Sequence, residues 1–153
     1  MQALELKVPP VALGLLFAAM MWLLSAFVPS LTLDLPAHRT VALLLWGIGF
    51  VIALAGVLEF RRAKTTVNPL TPEAAVAIVT SGIYRFTRNP MYLGLLIVLI
   101  GWAEWLSDPL AFAPLPFFVL YMNRFQIEPE ERALSKKFGE RFRDYTRSVR
   151  RWA

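Results

Sequence analysis

The sequence predicts an all-α integral membrane protein of about four transmembrane helices, the third and fourth forming a helical hairpin and a cytoplasmic amphipathic helix following them. Three observations carry that prediction. Of the 153 residues, 57% are hydrophobic, with a mean hydropathy of +0.52, whereas soluble domains have an apolar share of roughly 45–50%. Long stretches carry no charge at all: none falls between Lys7 and Asp34 or between Arg39 and Glu59. The basic residues are confined to the segments that alternate with the apolar runs.

The first run is read as a span near residues 9–28. It is not the core of a signal peptide, because Glu5 stands beside Lys7 and the apolar stretch exceeds the roughly 7–15 residues such a core needs. The second, "TVALLLWGIGFVIALAGVL", gives a span near 39–60; at ~1.5 Å per residue it covers ~30 Å of hydrocarbon. Two shorter runs, near 89–106 and 109–125, are read as spans three and four. Each needs help at its ends, with Arg88 and Arg124 snorkelling and Trp102 and Trp105 at the interface. "EWLSDPL" supplies the turn between them, with Pro109 suited to the first helical position. A re-entrant pair that never crosses is the alternative.

Arg61, Arg62, Lys64, Arg85 and Arg88 lie between spans two and three, and a second basic run extends from Arg124 to Arg151. Those segments are therefore expected in the cytoplasm. The connections at 29–38 and 104–109 carry Asp34, Glu104 and Asp108 and belong on the other side, so both termini lie inside. The pI near 10.0 follows from this topology and does not point to nucleic acid. With no cysteine and one histidine, His38, on the far side, neither a thiol nucleophile nor a thiolate or histidine-rich metal site is expected.

Segment 61–88 is too polar for a span and too apolar for a free linker: "AAVAIV" reads as a short buried piece and "TSGIY" as a turn in which Gly82 supplies a positive φ. It is either the wall or lid of a pocket or a loop that only packs. In segment 126–153, Ile127, Leu134, Phe138, Phe142, Tyr145, Val149 and Trp152 form one helical stripe, interrupted at Gly139. This helix is expected to lie on the anionic leaflet, to pack on the protein's own loops, or to do both. Glu128, Glu130 and Glu131 suit a helix N-terminus with Pro129 in its first turn; equally, Glu130 and Glu131 point in two directions, one to a ligand and one to an arginine. Asn89 and Pro90 read as the N-cap and first residue of span three.

Two ordered blocks, "GIYRFTRNPMYLG" and "EERALSKKFGERFRDY", preceded by "TTVNP", resemble the isoprenylcysteine carboxyl methyltransferase and phospholipid methyltransferase superfamily. The first fits G-x-Y-R-x-x-R-[HN]-P-x-Y-x-G and the second E-E-x-x-L-x-x-x-F-G-x-x-[YF]-x-x-Y. The resemblance implies a membrane enzyme that transfers a methyl group from S-adenosyl-L-methionine to a lipophilic small molecule or lipid. It implies cofactor binding at Val76, Ala77, Ile78, Val79, Tyr84, Asn89, Pro90, Met91, Tyr92 and Glu130, and a catalytic part for Arg88 and Glu131. A tyrosine is the alternative to Glu131 as base. Asn89 stands where the carboxyl methyltransferases have histidine. Gln126 stands where they place an arginine that meets the substrate, so an isoprenylcysteine-like carboxylate, a phospholipid amine and a small lipophilic molecule all remain open as acceptors. The expected unit is one membrane domain over 1–153 in the bacterial inner membrane, with 61–88 and 126–153 binding the cofactor on the cytoplasmic side. An NADPH-dependent reductase of the sterol-reductase type and a non-catalytic membrane interaction protein are the competing readings.

Overall fold

The computed structural model describes residues 5–28, 37–66, 68 and 70–153; Asp34, Val67 and Pro69 lie outside them. Every regular element among these residues is helical.

Helix α1 (Pro10–Phe27) starts with proline in its first turn, where the missing N–H costs nothing. Its buried residues Leu13, Phe17 and Met21 fall four apart on one stripe, while Leu15, Leu16, Leu23 and Phe27 are exposed. A helix apolar on both its inward and outward faces suits lipid rather than water. Helix α2 (His38–Arg62) repeats the pattern: Ala42, Gly49 and Gly56 are buried, and Leu43, Leu44, Phe50 and Val51 are exposed. These two helices are long and apolar enough to cross a membrane, and α3 (Pro90–Leu106) is a shorter apolar helix of 17 residues.

Helices α2 and α3 pack through small residues spaced seven apart. A Cβ built on Gly49 would lie 2.6 Å from the carbonyl oxygen of Gly94, and one on Gly101 would lie 2.7 Å from Trp46 Cδ1. Close backbone approach through glycine is how membrane helices gain packing energy when lipid offers no hydrophobic drive. Gly47 meets nothing within 4 Å. Trp46 Nε1 donates to the Val98 carbonyl at 3.2 Å and Trp102 Nε1 to the Ala18 carbonyl at 3.0 Å, tying α3 to both of its neighbours.

The fourth apolar run differs from a single helix. Asp108 accepts a hydrogen bond from Leu110 N at 2.9 Å and opens a short 3₁₀ turn, Pro109–Phe112; α4 (Leu115–Tyr121) begins only after Pro114. Two prolines, Pro114 and Pro116, lack the N–H that would carry one helix across this point. From α4 the chain continues with helical φ and ψ through a π-helical turn (Met122–Ile127) into α5 (Glu128–Phe138). The acids at 128–131 are therefore not at a fresh helix start, contrary to one reading of the sequence, because Ile127 and Glu128 are both helical. Pro129 has no N–H for the Phe125 carbonyl four residues back, and that carbonyl instead accepts from Leu6 N at 3.0 Å. Glu5 fastens the same junction by ion pairs to Arg124 at 2.8 Å and Arg132 at 2.5 Å.

Gly139, at φ 59° and ψ −130°, separates α5 from α6 (Glu140–Ser148), so the predicted amphipathic stripe is split between two helices. Phe142 is buried, Tyr145 donates to the Tyr84 carbonyl at 2.8 Å, and Trp152 Nε1 donates to Asn123 Oδ1 at 3.0 Å. These contacts pack the stripe on the protein's own segments.

Candidate functional site

Segment 63–89 crosses the end of the α2–α3 pair, and its local chemistry shapes it into a wall. Thr65 Oγ1 accepts from Val76 N at 3.0 Å, Asn68 Oδ1 accepts from Leu70 N at 3.0 Å, and a 3₁₀ turn forms at Pro72–Ala74. Ser81 then donates to the buried Glu59 carboxylate at the end of α2, and Gly82 turns there with φ 56°. A side chain at Gly82 would collide with that carboxylate, its Cβ falling 2.6 Å from Glu59 Cδ. The following turn, Gly82–Arg85, delivers Tyr84 inward, where its ring meets Phe60 edge-on at 5.4 Å.

Between this wall, the start of α3, and helices α5 and α6 lies a cleft with a cavity volume of about 110 Å³. Its walls are apolar at Ala77, Ile78, Val79 and Leu134 and aromatic at Phe60, Tyr84, Tyr92 and Phe142. Glu130, Glu131 and Arg88 are its charged residues.

The two carboxylates sit in opposite electrostatic settings. Glu131 is gripped by cations: Arg88 Nη2 donates to Oε1 at 2.7 Å and Arg151 Nη2 to Oε2 at 2.6 Å. Glu130 meets neutral donors only, accepting on Oε1 from Tyr92 Oη at 2.5 Å and from Gln126 Nε2 at 2.8 Å. Burial pushes its carboxyl up to about 7; Tyr92 and Gln126 pull against that, and the neighbouring Glu131 charge adds to it. Burial also raises the Tyr84 phenol well above its ordinary range and lifts Tyr145 to about 12, in the latter case against the pull of Arg88. Both phenols therefore stay protonated near neutrality.

Arg88 is a clamp. Besides Glu131, its Nη1 donates to the carbonyls of Thr146 at 2.9 Å and Val149 at 2.5 Å, and its backbone N donates to the Arg150 carbonyl at 3.0 Å. It thus supplies partners for the end of α6, whose last carbonyls have none within the helix. Asn89 occupies the position before α3 but makes no cap; its Nδ2 donates to the Arg151 carbonyl at 2.9 Å, and Thr87 Oγ1 accepts from Asn89 N at 3.2 Å. The N-cap expected of Asn89 is absent because its amide group is drawn to segment 149–152, a partner sixty residues away in sequence.

Of the residues singled out from the sequence, Ala77, Ile78, Val79, Tyr84, Arg88, Asn89, Met91, Tyr92, Glu130 and Glu131 line the one cleft. Three do not. Val76 is 68% exposed, Pro90 is buried against Gly56, and Gln126, 3% exposed, lies one layer behind the wall. Phe60, Thr66, Asn68, Leu134, Phe142 and Tyr145 line the cleft without having been singled out as site residues. Leu134, Phe142 and Tyr145 were visible in the helical stripe of the second block, and Thr66 and Asn68 in "TTVNP"; Phe60 carried no signal. Among the described residues no group of histidine, aspartate and glutamate could hold a metal.

A family model described as phospholipid methyltransferase matches residues 37–141. The chain is 47% identical over 62 residues to an uncharacterized protein of Haemophilus influenzae, a match spanning 40% of this chain and 98% of that one. To protein-S-isoprenylcysteine O-methyltransferase A of Arabidopsis thaliana it is 29% identical over 102 residues, spanning 67% of this chain and 52% of the relative. The chain thus covers about half the length of the plant methyltransferases it matches. No solved structure gives a significant match.

Proposed function

We propose a function from one premise: the chain belongs to the phospholipid methyltransferase family. On that basis it is an integral membrane methyltransferase that uses S-adenosyl-L-methionine and methylates a lipophilic acceptor. The acceptor is an isoprenylcysteine-like carboxylate, a phospholipid amine or a small lipophilic molecule. We read residues 1–153 as one membrane domain, with α1, α2, α3 and the run through α4 as four spans in the bacterial inner membrane. Segments 61–88 and 126–153, both termini and the cleft then face the cytoplasm, where most of the basic residues lie.

The observation that carries the reading is the cleft itself, which gathers ten residues of the expected site although they come from segments 77–92 and 130–131. The lining also suits this cofactor: aromatic faces at Tyr84 and Tyr92 for a cation, a carboxyl at Glu130 for hydroxyl and amino donors, and the aliphatic strip Ala77–Val79 for a flat ring.

When bound, the cofactor supplies an activated methyl group for in-line displacement. This chain's residues orient, exclude water and manage a proton. Glu130 accepts hydrogen bonds through the oxygen that Tyr92 and Gln126 leave open. Arg88 and Glu131 close the cleft by holding α3, α5 and segment 146–151 together, and so keep water from its floor. If the acceptor is an amine it must lose a proton, and Glu131, which lines the cleft and is not engaged with the cofactor, is the carboxylate assigned to that step.

Calorimetric titration of detergent-solubilised protein with S-adenosylhomocysteine tests the proposal. Saturable binding that Glu130→Ala abolishes is expected, and absence of binding by the wild-type protein sinks it. Incubation with methyl-labelled cofactor and host lipid extract then identifies the acceptor by what becomes labelled.

A further inference from the structure

Gln126, Tyr92 and Glu130 meet behind the cleft wall in an arrangement more specific than ordinary packing requires. Gln126 Nε2 and Tyr92 Oη both donate to Glu130 Oε1, at 2.8 and 2.5 Å, and a longer 3.4 Å contact joins Gln126 Nε2 to Tyr92 Oη. No hydrogen bond to Glu130 Oε2 forms among the described residues. Gln126 is 3% exposed and outside the lining, whereas Glu130 and Tyr92 are part of it. Gln126 stands in the π-helical turn, one turn before Glu130 on a continuous helical path. Such local widening recurs at functional sites because it re-aims side chains without ending the helix.

We propose that Gln126 is a positioning residue that, with Tyr92, locks Glu130 through Oε1 and reserves Oε2 as the acceptor for donor groups of a nucleoside ligand. This rests on the reading of the cleft as the S-adenosylmethionine site. The charged and titratable groups around Glu130 are Tyr92 on α3, Tyr84 on the preceding 3₁₀ turn with Tyr145 of α6 at its carbonyl, and Glu131 beside it. The cations Arg88 and Arg151 bond to Glu131 and not to Glu130. A neutral amide holds the carboxyl in place without pinning it in the ionised form, as a guanidinium would. Glu130 therefore takes up a proton as pH falls through about 7, and a ligand hydroxyl or amino group then loses its acceptor. Affinity is expected to be full above this range and to decline below it.

The test uses the whole chain in nanodiscs, titrated with S-adenosylhomocysteine from about pH 5.5 to 8.5. Carbon-13 NMR of the glutamate carboxyls runs in parallel, with Glu130→Gln identifying the resonance. Wild-type Kd is expected to be level at the alkaline end and to weaken by up to about tenfold per unit below the midpoint. Gln126→Met should move the carboxyl midpoint up and Gln126→Arg should move it down, each by about one unit. A merely structural role predicts no opposed shifts. A carboxyl midpoint that stays put in Gln126→Met, or that moves the same way in both variants, overturns the proposal. So does a wild-type Kd that is flat while the carboxyl titrates. Where Gln126→Arg does not fold, Tyr92→Phe removes the second donor, and its midpoint must rise as in Gln126→Met. If S-adenosylhomocysteine fails to bind at any pH, the cofactor reading falls, and the NMR midpoints still decide whether Gln126 locks Glu130.

Discussion

At the scale of single residues, the cleft divides its charged groups between holding the fold and meeting a ligand. Arg88 spends its guanidinium on Glu131 and on two carbonyls at the end of α6, with its side chain only 13% exposed. A lysine cannot reproduce that fork. Arg88→Lys is therefore expected to cost roughly 2–3 kcal/mol, read as a lowered midpoint in chemical denaturation of the detergent-solubilised protein. Tyr145→Phe, which deletes one bond to the Tyr84 carbonyl, should cost only about 1 kcal/mol. Glu130 imposes a pH dependence of the opposite sense to an ordinary ion pair. Its carboxyl rises from 4.5 to about 7 on folding, so the native state holds the extra proton. Stability is then greatest below the unfolded value and falls as pH rises through the window up to the folded one, by on the order of 3 kcal/mol. Glu130→Gln should flatten that slope between about pH 4.5 and 7, and an unchanged slope in thermal melts would discard the assignment. The cleft-lining residue types were legible in the motif blocks. Their partners were not: Asn89 looked like a cap and instead bonds the Arg151 carbonyl, because a long-range acceptor outcompeted the local amides.

At the scale of elements, helix existence was legible wherever apolar residues ran uninterrupted, and α1, α2 and α3 lie within a residue or two of the predicted positions. The fourth run was not legible as observed. Hydropathy sees Pro114 and Pro116 merely as apolar context, whereas the backbone sees missing donors, and the result is a 3₁₀ turn, a short helix and a π-helical turn. The α2–α3 seam makes a sharp contrast testable. Gly49→Leu must force apart two backbones whose separation leaves a Cβ 2.6 Å from Gly94 O, and should cost roughly 3 kcal/mol or more. Gly47→Leu, which meets nothing within 4 Å, should leave the melting temperature nearly unchanged. Gly139→Ala tests the joint between α5 and α6: a φ of 59° with ψ −130° is costly for any side chain, so a loss of about 1–3 kcal/mol is expected. That loss should bring faster proteolysis of residues 140–148.

At the scale of the whole molecule, the proposed topology makes a prediction that needs no ligand. The chain has no cysteine, so any introduced thiol is read without background. With a membrane-impermeant maleimide on intact cells, Leu110→Cys, in the turn after α3, should label from outside, and Lys136→Cys, on α5, only after permeabilisation. The reverse pattern would invert the orientation, and labelling of both from one side would favour the re-entrant alternative for the second hairpin. Composition and uncharged runs determined by themselves that this is a helical chain with segments long and apolar enough to cross a membrane, since these are local properties summed along the sequence. The ordered motif blocks likewise pointed to the family. Only the tertiary structure decided which groups pair: that Gly49 serves α3, that Leu6 satisfies the carbonyl Pro129 leaves bare, that Glu131 is neutralised by two arginines and that Glu130 is not. The physical reason is distance. Hydrogen bonds and close packing act over a few ångströms between residues separated by tens or more than a hundred positions, and periodicity carries no record of which partner folding will bring within reach.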